Sequence, residues 1–302
     1  ADNNSAFGNG VLAANTTGTS NTGVGKNALE ANTTANNNTA VGKNALGANT
    51  TGANNVAVGQ EALAANTTAA NNTAVGRVAL DANTTGTANV AVGTNALGTS
   101  TTASENTAVG NAALFATTTG ADNVGIGASA LDSTTTGGEN TAIGHQAGHN
   151  LTTGVNNTLL GHEAGTDAVA NVVASNGNIV IGNNYSASAK IKIDWTVTSD
   201  LRDKTEIESV PHGLNFVNQI TPIKYRFKTS RENDTPNGVT RYGFKAQEIL
   251  ALEGENPVLV DNGDTDNLKL TGAYLLPVLV NAIKELKAEN DSLKTRIENL
   301  EG

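Results

Sequence analysis

Few residues in this chain are of types that could do chemistry, and they fall into two groups. The first is the run Ser199-Asp200-Leu201-Arg202-Asp203-Lys204. A serine hydroxyl is a weak nucleophile until a base takes its proton, and a lysine can be that base only if its pKa falls from ~10.4 towards 7 to 8 through desolvation or nearby positive charge. Arg202 could supply such charge. A five-residue spacing does not align two side chains on a regular helix, so the pair calls for a turn or a strand-to-helix junction. The alternative is a solvated charged loop in which Ser199 caps a turn. The second group is His145, His149 and His162. His145 and His162 share a sequence column with Lys26, Lys43, Gln60 and Arg77, which reads as a solvent-facing surface. No carboxylate or thiolate partner is evident beside the three histidines, so neither a metal nor any other cofactor is expected. A depolymerase would need paired carboxylates in a cleft, and the acids of this region are isolated.

The elements that must position these residues announce themselves by spacing. Gly8, Gly25, Gly42, Gly59, Gly76, Gly93, Gly110, Gly127, Gly144 and Gly161 recur without a slip, which means one structural unit repeated as a solenoid or fibre. Before each glycine stands an apolar residue, from Phe7 and Val24 through Val41, Val58 and Val75 to Ile143 and Leu160, and this column is expected to face a core. Leu12, Leu29, Leu46 and their equivalents to Leu131 form a second apolar column, each preceded by Ala or Val that lets backbones approach. Four residues before each glycine lies Asn, from Asn4 through Asn38 and Asn72 to Asn157, where stacked amides can bond along the fibre. Thr17, Thr34, Thr51 and their equivalents to Thr153 make a hydroxyl column. The glycine reads as a corner that needs positive φ or close backbone contact. Short β-branched runs bounded by Asn and Gly are strand signals, so the expectation is one β-coil per repeat, stacked over residues 4 to 165. Ice binding by the Thr columns ranks low, because adjacent threonines point to opposite faces of a strand. The Asp pattern of calcium-binding repeats is missing.

Composition sets limits and a boundary. Cysteine is absent, and the net charge of -10 disfavours nucleic acid as a partner. No apolar run reaches the ~18 to 20 residues of a membrane span, so no membrane insertion is expected. Ala1, without a signal peptide or initiator Met, reads as a processed or truncated start. Only Phe7 and Phe115 of the aromatics precede Tyr185, and charge density rises after Thr198. The organisation expected is a repeat domain over 1–182, a stem over 183–198 and a distinct domain over 199–302.

A thin, Ala-rich coil has a stability problem. A few buried apolar side chains at ~1.5 to 3 kcal/mol each must offset ~1 to 2 kcal/mol of backbone entropy per ordered residue. A lone coil loses that contest, and burial of a further face against other copies would help; this points to a parallel trimer and to a device that sets register. The C-terminus has the pattern of one. Leu279, Ile283, Leu286, Asn290, Leu293, Ile297 and Leu300 alternate steps of four and three within a coiled coil expected over 273–301. Asn290 is the single polar break, the kind that fixes register at some cost in stability. Glu285, Lys287, Glu289, Lys294 and Glu298 lie off the seam and read as a solvated face.

Four motifs in order carry a family resemblance: Ser-Asp-x-Arg-x-Lys at 199–204, then Leu214-Asn215-Phe216-Val217 with Thr221-Pro222-Ile223-Lys224-Tyr225, then Gly243-Phe244-Lys245-Ala246-Gln247-Glu248, then Ala282-Ile283-Lys284-Glu285-Leu286. Together they resemble the endosialidase-type intramolecular chaperones, self-cleaving C-terminal domains of phage tailspikes and tail fibres. The resemblance implies trimerisation, guidance of upstream β-structure, and cleavage between Thr198 and Ser199 with Ser199 as nucleophile and Lys204 as base. Asp200 and Arg202 would order the loop, and Gly243, Phe244, Gln247 and Glu248 would support it. Separately, Ala-Val-Gly-x-x-Ala, as at Ala40 to Ala45, resembles the head repeats of trimeric autotransporter adhesins. The expectation is a mainly β repeat region with an α+β chaperone domain. Its function would be that of a homotrimeric fibre on a virion that meets a cell-surface glycan or protein receptor, or else of an adhesin at a cell surface.

Overall fold

The computed structural model describes residues 2–166, 170–183, 185–186, 199–228, 231–263, 265–266 and 268–301. The chain divides into two compact units, Ala1–Ser186 and Ala187–Gly302. The first is a parallel β-solenoid. Three-residue strands run from β1 (Ser5–Phe7), through β3 (Thr39–Val41), β4 (Val56–Val58) and β5 (Thr73–Val75), to β10 (Thr158–Leu160) and β11 (Ile179–Ile181), and all eleven pair in sequence order in one sheet. Register is uniform: Thr39, Ala40 and Val41 stand over Val56, Ala57 and Val58. The last coil is longer, with Thr158 paired to Ile179.

The valine column does not face the core. In each strand the middle residue points inward, so Ala40, Ala57 and Ala74 are fully buried while Val41, Val58, Val75 and Val92 are each 36 % exposed. The cause is the pleat: alternate residues take opposite faces, and in the regular coils the narrow interior already filled by leucine leaves room only for a small residue beside it. Leu29 through Leu131, with the alanines before them, are buried as the second column required. Those leucines adopt left-handed backbone, φ +53° at Leu29 and +49° at Leu46, a conformation not evident from their type.

Buried amides hold the coils together. The Asn21 side-chain oxygen accepts from the Asn38 backbone N–H at 3.0 Å, and Asn38 Nδ2 donates to the Gly52 carbonyl at 2.9 Å; Asn55 and Asn72 repeat the pattern. A second amide column lay unnoticed in the recurring Asn-Thr-Thr: Asn49 Nδ2 donates to Asn32 Oδ1, and Asn66 Nδ2 to Asn49 Oδ1. The inter-coil hydroxyl bonds come from the threonine preceding the expected column, as in Thr33 Oγ1 to the Thr50 carbonyl, whereas Thr34 and Thr51 face water. At the glycine corners both expected reasons hold: Gly42 has φ +138°, and a Cβ there would come 2.3 Å from the Gly59 carbonyl oxygen.

The second unit is α+β. Helix α1 (Leu214–Gln219) leads into strand β12 (Ile223–Lys228), which pairs antiparallel with β13 (Pro236–Gly243). Helix α2 (Ala246–Glu253), the short β14 (Val260–Asp261) and β15 (Lys269–Leu270) pair, and helix α3 (Leu275–Glu301) follow. Phe216, Ile249, Leu259, Val260, Leu275 and Val278 form its core, with Phe244 packed against it. Among the described residues no helix is long and apolar enough to cross a membrane.

Candidate functional site

Ser199 and Lys204 flank a single 3-10 turn, Leu201–Asp203, and the local sequence explains why it forms there. Asp200 is its N-cap: the carboxylate accepts from the Arg202 backbone N–H at 2.9 Å. The same carboxylate takes the Arg202 guanidinium, with Nη2 to Oδ2 at 2.6 Å. This pairing holds the Asp200 carboxyl below the usual carboxylate range, with the Arg202 side chain as the main cause and its backbone amide second. It also raises the Arg202 pKa further. The guanidinium charge is therefore matched locally by Asp200. Closing the turn brings residues 199 and 204 together, and Lys204 Nζ lies 2.9 Å from Ser199 Oγ.

That separation is right for direct proton transfer between hydroxyl and amine. Both residues are exposed in the single chain. Thr198, on the other side of the expected scissile bond, lies outside the described residues, as does most of the expected stem.

The supporting motif residues are set in the body of the unit. Gly243 closes β13 directly under the Tyr225 ring, and Phe244 enters the core. Glu248, in the first turn of α2, accepts from Thr221 Oγ1 at 2.9 Å, which ties α2 to the chain entering β12. Its other oxygen is buried without a hydrogen-bond partner among the described residues. Gln247 is exposed.

Helix α3 has two halves. Leu275, Val278 and Ala282 are buried, with Leu279 packed against the same core, but Ile283, Leu286, Leu293, Ile297 and Leu300 all lie exposed together with Asn290. The seam beyond Ala282 therefore stays uncovered among the described residues. Glu285 departs from its expected place on a purely solvated face: its Oε2 accepts from the Leu214 backbone N–H at 2.6 Å. Sequence reasoning passed over Asn281, whose Nδ2 donates to the Val210 carbonyl at 3.1 Å and the His212 carbonyl at 3.3 Å.

In the solenoid, His145 and His162 stack with ring centroids 5.1 Å apart. His149 does have a carboxylate partner, Asp132, one coil away at 2.5 Å, a contact that the repeat spacing itself would have indicated. Among the described residues no group of three or more such side chains is placed to hold a metal.

Residues 199–259 match the family model described as the chaperone of endosialidase. The match opens on Ser199 and takes in the 3-10 turn, α1, the β12–β13 pair and α2; α3 follows it. No curated protein and no solved structure matches the chain. A β-solenoid followed by a chaperone-of-endosialidase segment is the makeup of a fibre-like or tailspike-like protein that carries its own folding chaperone.

Proposed function

We propose that this chain is a trimeric fibre whose chaperone segment drives assembly and then releases itself by cutting the Thr198–Ser199 bond. The observation that carries the reading is the 2.9 Å approach of Lys204 Nζ to Ser199 Oγ at the first residues of the matched segment. In the proposed reaction Lys204, as a neutral amine, takes the Ser199 hydroxyl proton while Oγ attacks the Thr198 carbonyl carbon. The C–N bond breaks, the proton passes to the departing Ser199 amine, and an ester joins Thr198 to Ser199 Oγ. Water then hydrolyses that ester, giving a Thr198 carboxylate and restoring the Ser199 hydroxyl. Desolvation favours the neutral amine over the ammonium, so burial by neighbouring copies would switch the dyad on only after assembly.

Two surfaces that are exposed among the described residues support self-association. One is the exposed seam of α3. The other is the outward face of the solenoid sheet, where Thr39, Val41, Val56, Val58, Thr73 and Val75 belong to columns without a single charged residue over the eleven strands. With those faces turned towards other copies, the Asn- and Thr-rich remainder would be presented outward. We assign that remainder the role of meeting a glycan or protein receptor on a cell surface, from a virion or from another extracellular fibre.

Electrophoresis of boiled samples with intact-mass measurement tests the chemistry. The unsubstituted chain should yield residues 1–198, while Ser199→Ala and Lys204→Ala stay full-length. Lys204→Arg should also stay intact, because a guanidinium does not give up its proton near neutrality. A 1–198 fragment from Ser199→Ala would assign the cut to another nucleophile.

A further inference from the structure

The segment between the dyad turn and α1 is anchored to the helix that carries the seam. Two side chains one turn apart on α3 do this. Asn281 donates to the carbonyls of Val210 and His212, and Glu285 accepts from the N–H of Leu214. These groups stand 69 to 71 residues away in sequence. The approach is tight enough to dictate the residue before α1: a Cβ on Gly213 would lie 2.1 Å from Glu285 Oε1. His212 adds a stacked contact with Phe216, its ring centroid 4.2 Å away, so the whole 210–216 stretch is fixed.

At 3.6 residues per turn, Asn281 and Glu285 lie about 40° apart around α3, whereas Ile283 and Leu286 lie roughly 200° and 140° from Asn281. One helix thus offers a clamp on one side and an unpartnered apolar seam on another. From Lys204 to Val210 the chain spans six residues, at most ~22 Å fully extended, so the dyad turn is held within that tether of the clamp.

We propose that Asn281 and Glu285 are positioning residues for self-cleavage: they moor the Ser199–Lys204 turn to α3, so that copies gathering on the seam bury the dyad. The inference rests on the autoproteolytic reading above. It assigns to two residues outside the dyad the coupling between assembly and chemistry, and neither touches a reacting atom. Removing the mooring leaves the seam intact but lets the dyad swing out of the place where assembly would enclose it.

The test uses the full chain. Asn281→Asp keeps the size but replaces a donor to two carbonyls with an acceptor, and Glu285→Ala removes the acceptor. Both should form trimers by light scattering, measured in a Ser199→Ala background, yet cut themselves ~10- to 100-fold more slowly, the scale of loss expected from misplaced reacting groups. Glu285→Gln still offers an oxygen to the Leu214 N–H and should cut within about 3-fold of the parent, a rescue that loss of helix stability alone would not give. Gly213→Ala, which displaces the Glu285 carboxylate from the other side, should slow cleavage as well. Trimeric Asn281→Asp and Glu285→Ala chains that cut at the parent rate would overturn the inference and leave the dyad intact. So would a Gln variant no better than Ala, and so would a failure of every variant to assemble, which would make the pair a folding determinant. A parent chain that never cuts would overturn the autoproteolytic reading and this inference with it.

Discussion

The interior of the solenoid keeps its volume constant by exchanging residues between neighbouring coils, and this can be measured. In the regular coils a buried leucine shares the core with an alanine at the middle of the next strand, as Leu131 does with Ala142. At the ninth coil the pair is inverted: Gly148 takes the leucine position with φ +67°, and Leu159 replaces the strand alanine. A Cβ on Gly148 would come 2.7 Å from Leu131 Cδ2 and 2.8 Å from Leu159 Cδ1, so no space is left for a side chain. Gly148→Leu should therefore destabilise by about 3 kcal/mol, the upper end of ordinary overpacking. Leu159→Ala empties a fully buried site and should cost ~2 to 5 kcal/mol. Gly148→Leu with Leu159→Ala together recreate the Leu–Ala pair of the other coils, and the double variant should fall within ~1 kcal/mol of the parent. The coupling energy would then be at or beyond the ~3 kcal/mol that marks the strongest contacting pairs. Urea unfolding followed by far-ultraviolet circular dichroism, on uncleaved Ser199→Ala chains, supplies the cycle. If Gly148→Leu alone is neutral, or the double variant is no better than Leu159→Ala, the volume argument is wrong.

Other outcomes follow from the same geometry. Val58→Lys with Val75→Lys should leave the circular dichroism of the solenoid unchanged, because both side chains point outward, but abolish trimers in light scattering; a collapse of the β signal would put the valines inside after all. Leu286→Asp with Leu293→Asp should likewise leave a folded but monomeric chain, while Asn290→Leu should raise helix stability and blur the oligomeric state, both read by sedimentation. Asp200 is a carboxyl whose folded pKa is depressed, so the order it gives the turn is present above the usual carboxylate value of ~3.9 and is lost only as pH falls through the lower folded value. Arg202→Gln should move the carboxyl titration, followed by carbon NMR, back up towards ~3.9, and an unmoved midpoint would refute the assigned cause.

What could be read in the sequence depended on whether a feature repeats. The leucine, asparagine and glycine columns were legible because ten copies remove the ambiguity of any one. The valine column misled because a three-residue strand offers too little alternation to say which face is inside, and hydrophobicity favours Val over Ala. The Ala or Gly at the middle of every strand from β1 to Thr141–Ile143 was the better indicator, since a position held so consistently to the smallest residues is a tight one. Asn32 and Asn49 were not singled out, although their spacing matched that of the first amide column. At the site, the residue types and motif order located Ser199 and Lys204, but the mooring by Asn281 and Glu285 joins groups some 70 residues apart, and no local pattern marks it.

Backbone strain explains why such a solenoid would need help to begin folding. Within one coil Asn44, Leu46 and Asn54 all stand in left-handed backbone, at φ +58°, +49° and +60°. For a residue such as leucine that conformation costs ~1 to 2 kcal/mol, and asparagine tolerates it better. Each of these residues is held by a bond to a neighbouring coil: Asn44 N–H to the Lys26 carbonyl at 2.9 Å, Leu46 N–H to the Ala62 carbonyl at 3.0 Å, and Asn54 N–H to the Asn36 carbonyl at 3.1 Å. An isolated coil bears the strain and has none of these partners, so the first coil is the costly one and growth on a formed coil is cheap. On the proposed reading, a C-terminal segment that gathers three chains would lower that first barrier by holding three chain ends together, and it would no longer be needed once stacking is complete. The expected consequence is a difference in kinetics rather than in the final fold. Residues 1–198, released by cleavage, should stay folded for days after the chaperone segment leaves but should fail to refold after dilution from denaturant, while uncleaved Ser199→Ala chains recover. If the released fragment regains its circular dichroism and melting temperature as fast as the uncleaved chain, the first coil forms unaided and the chaperone segment serves some purpose other than nucleation.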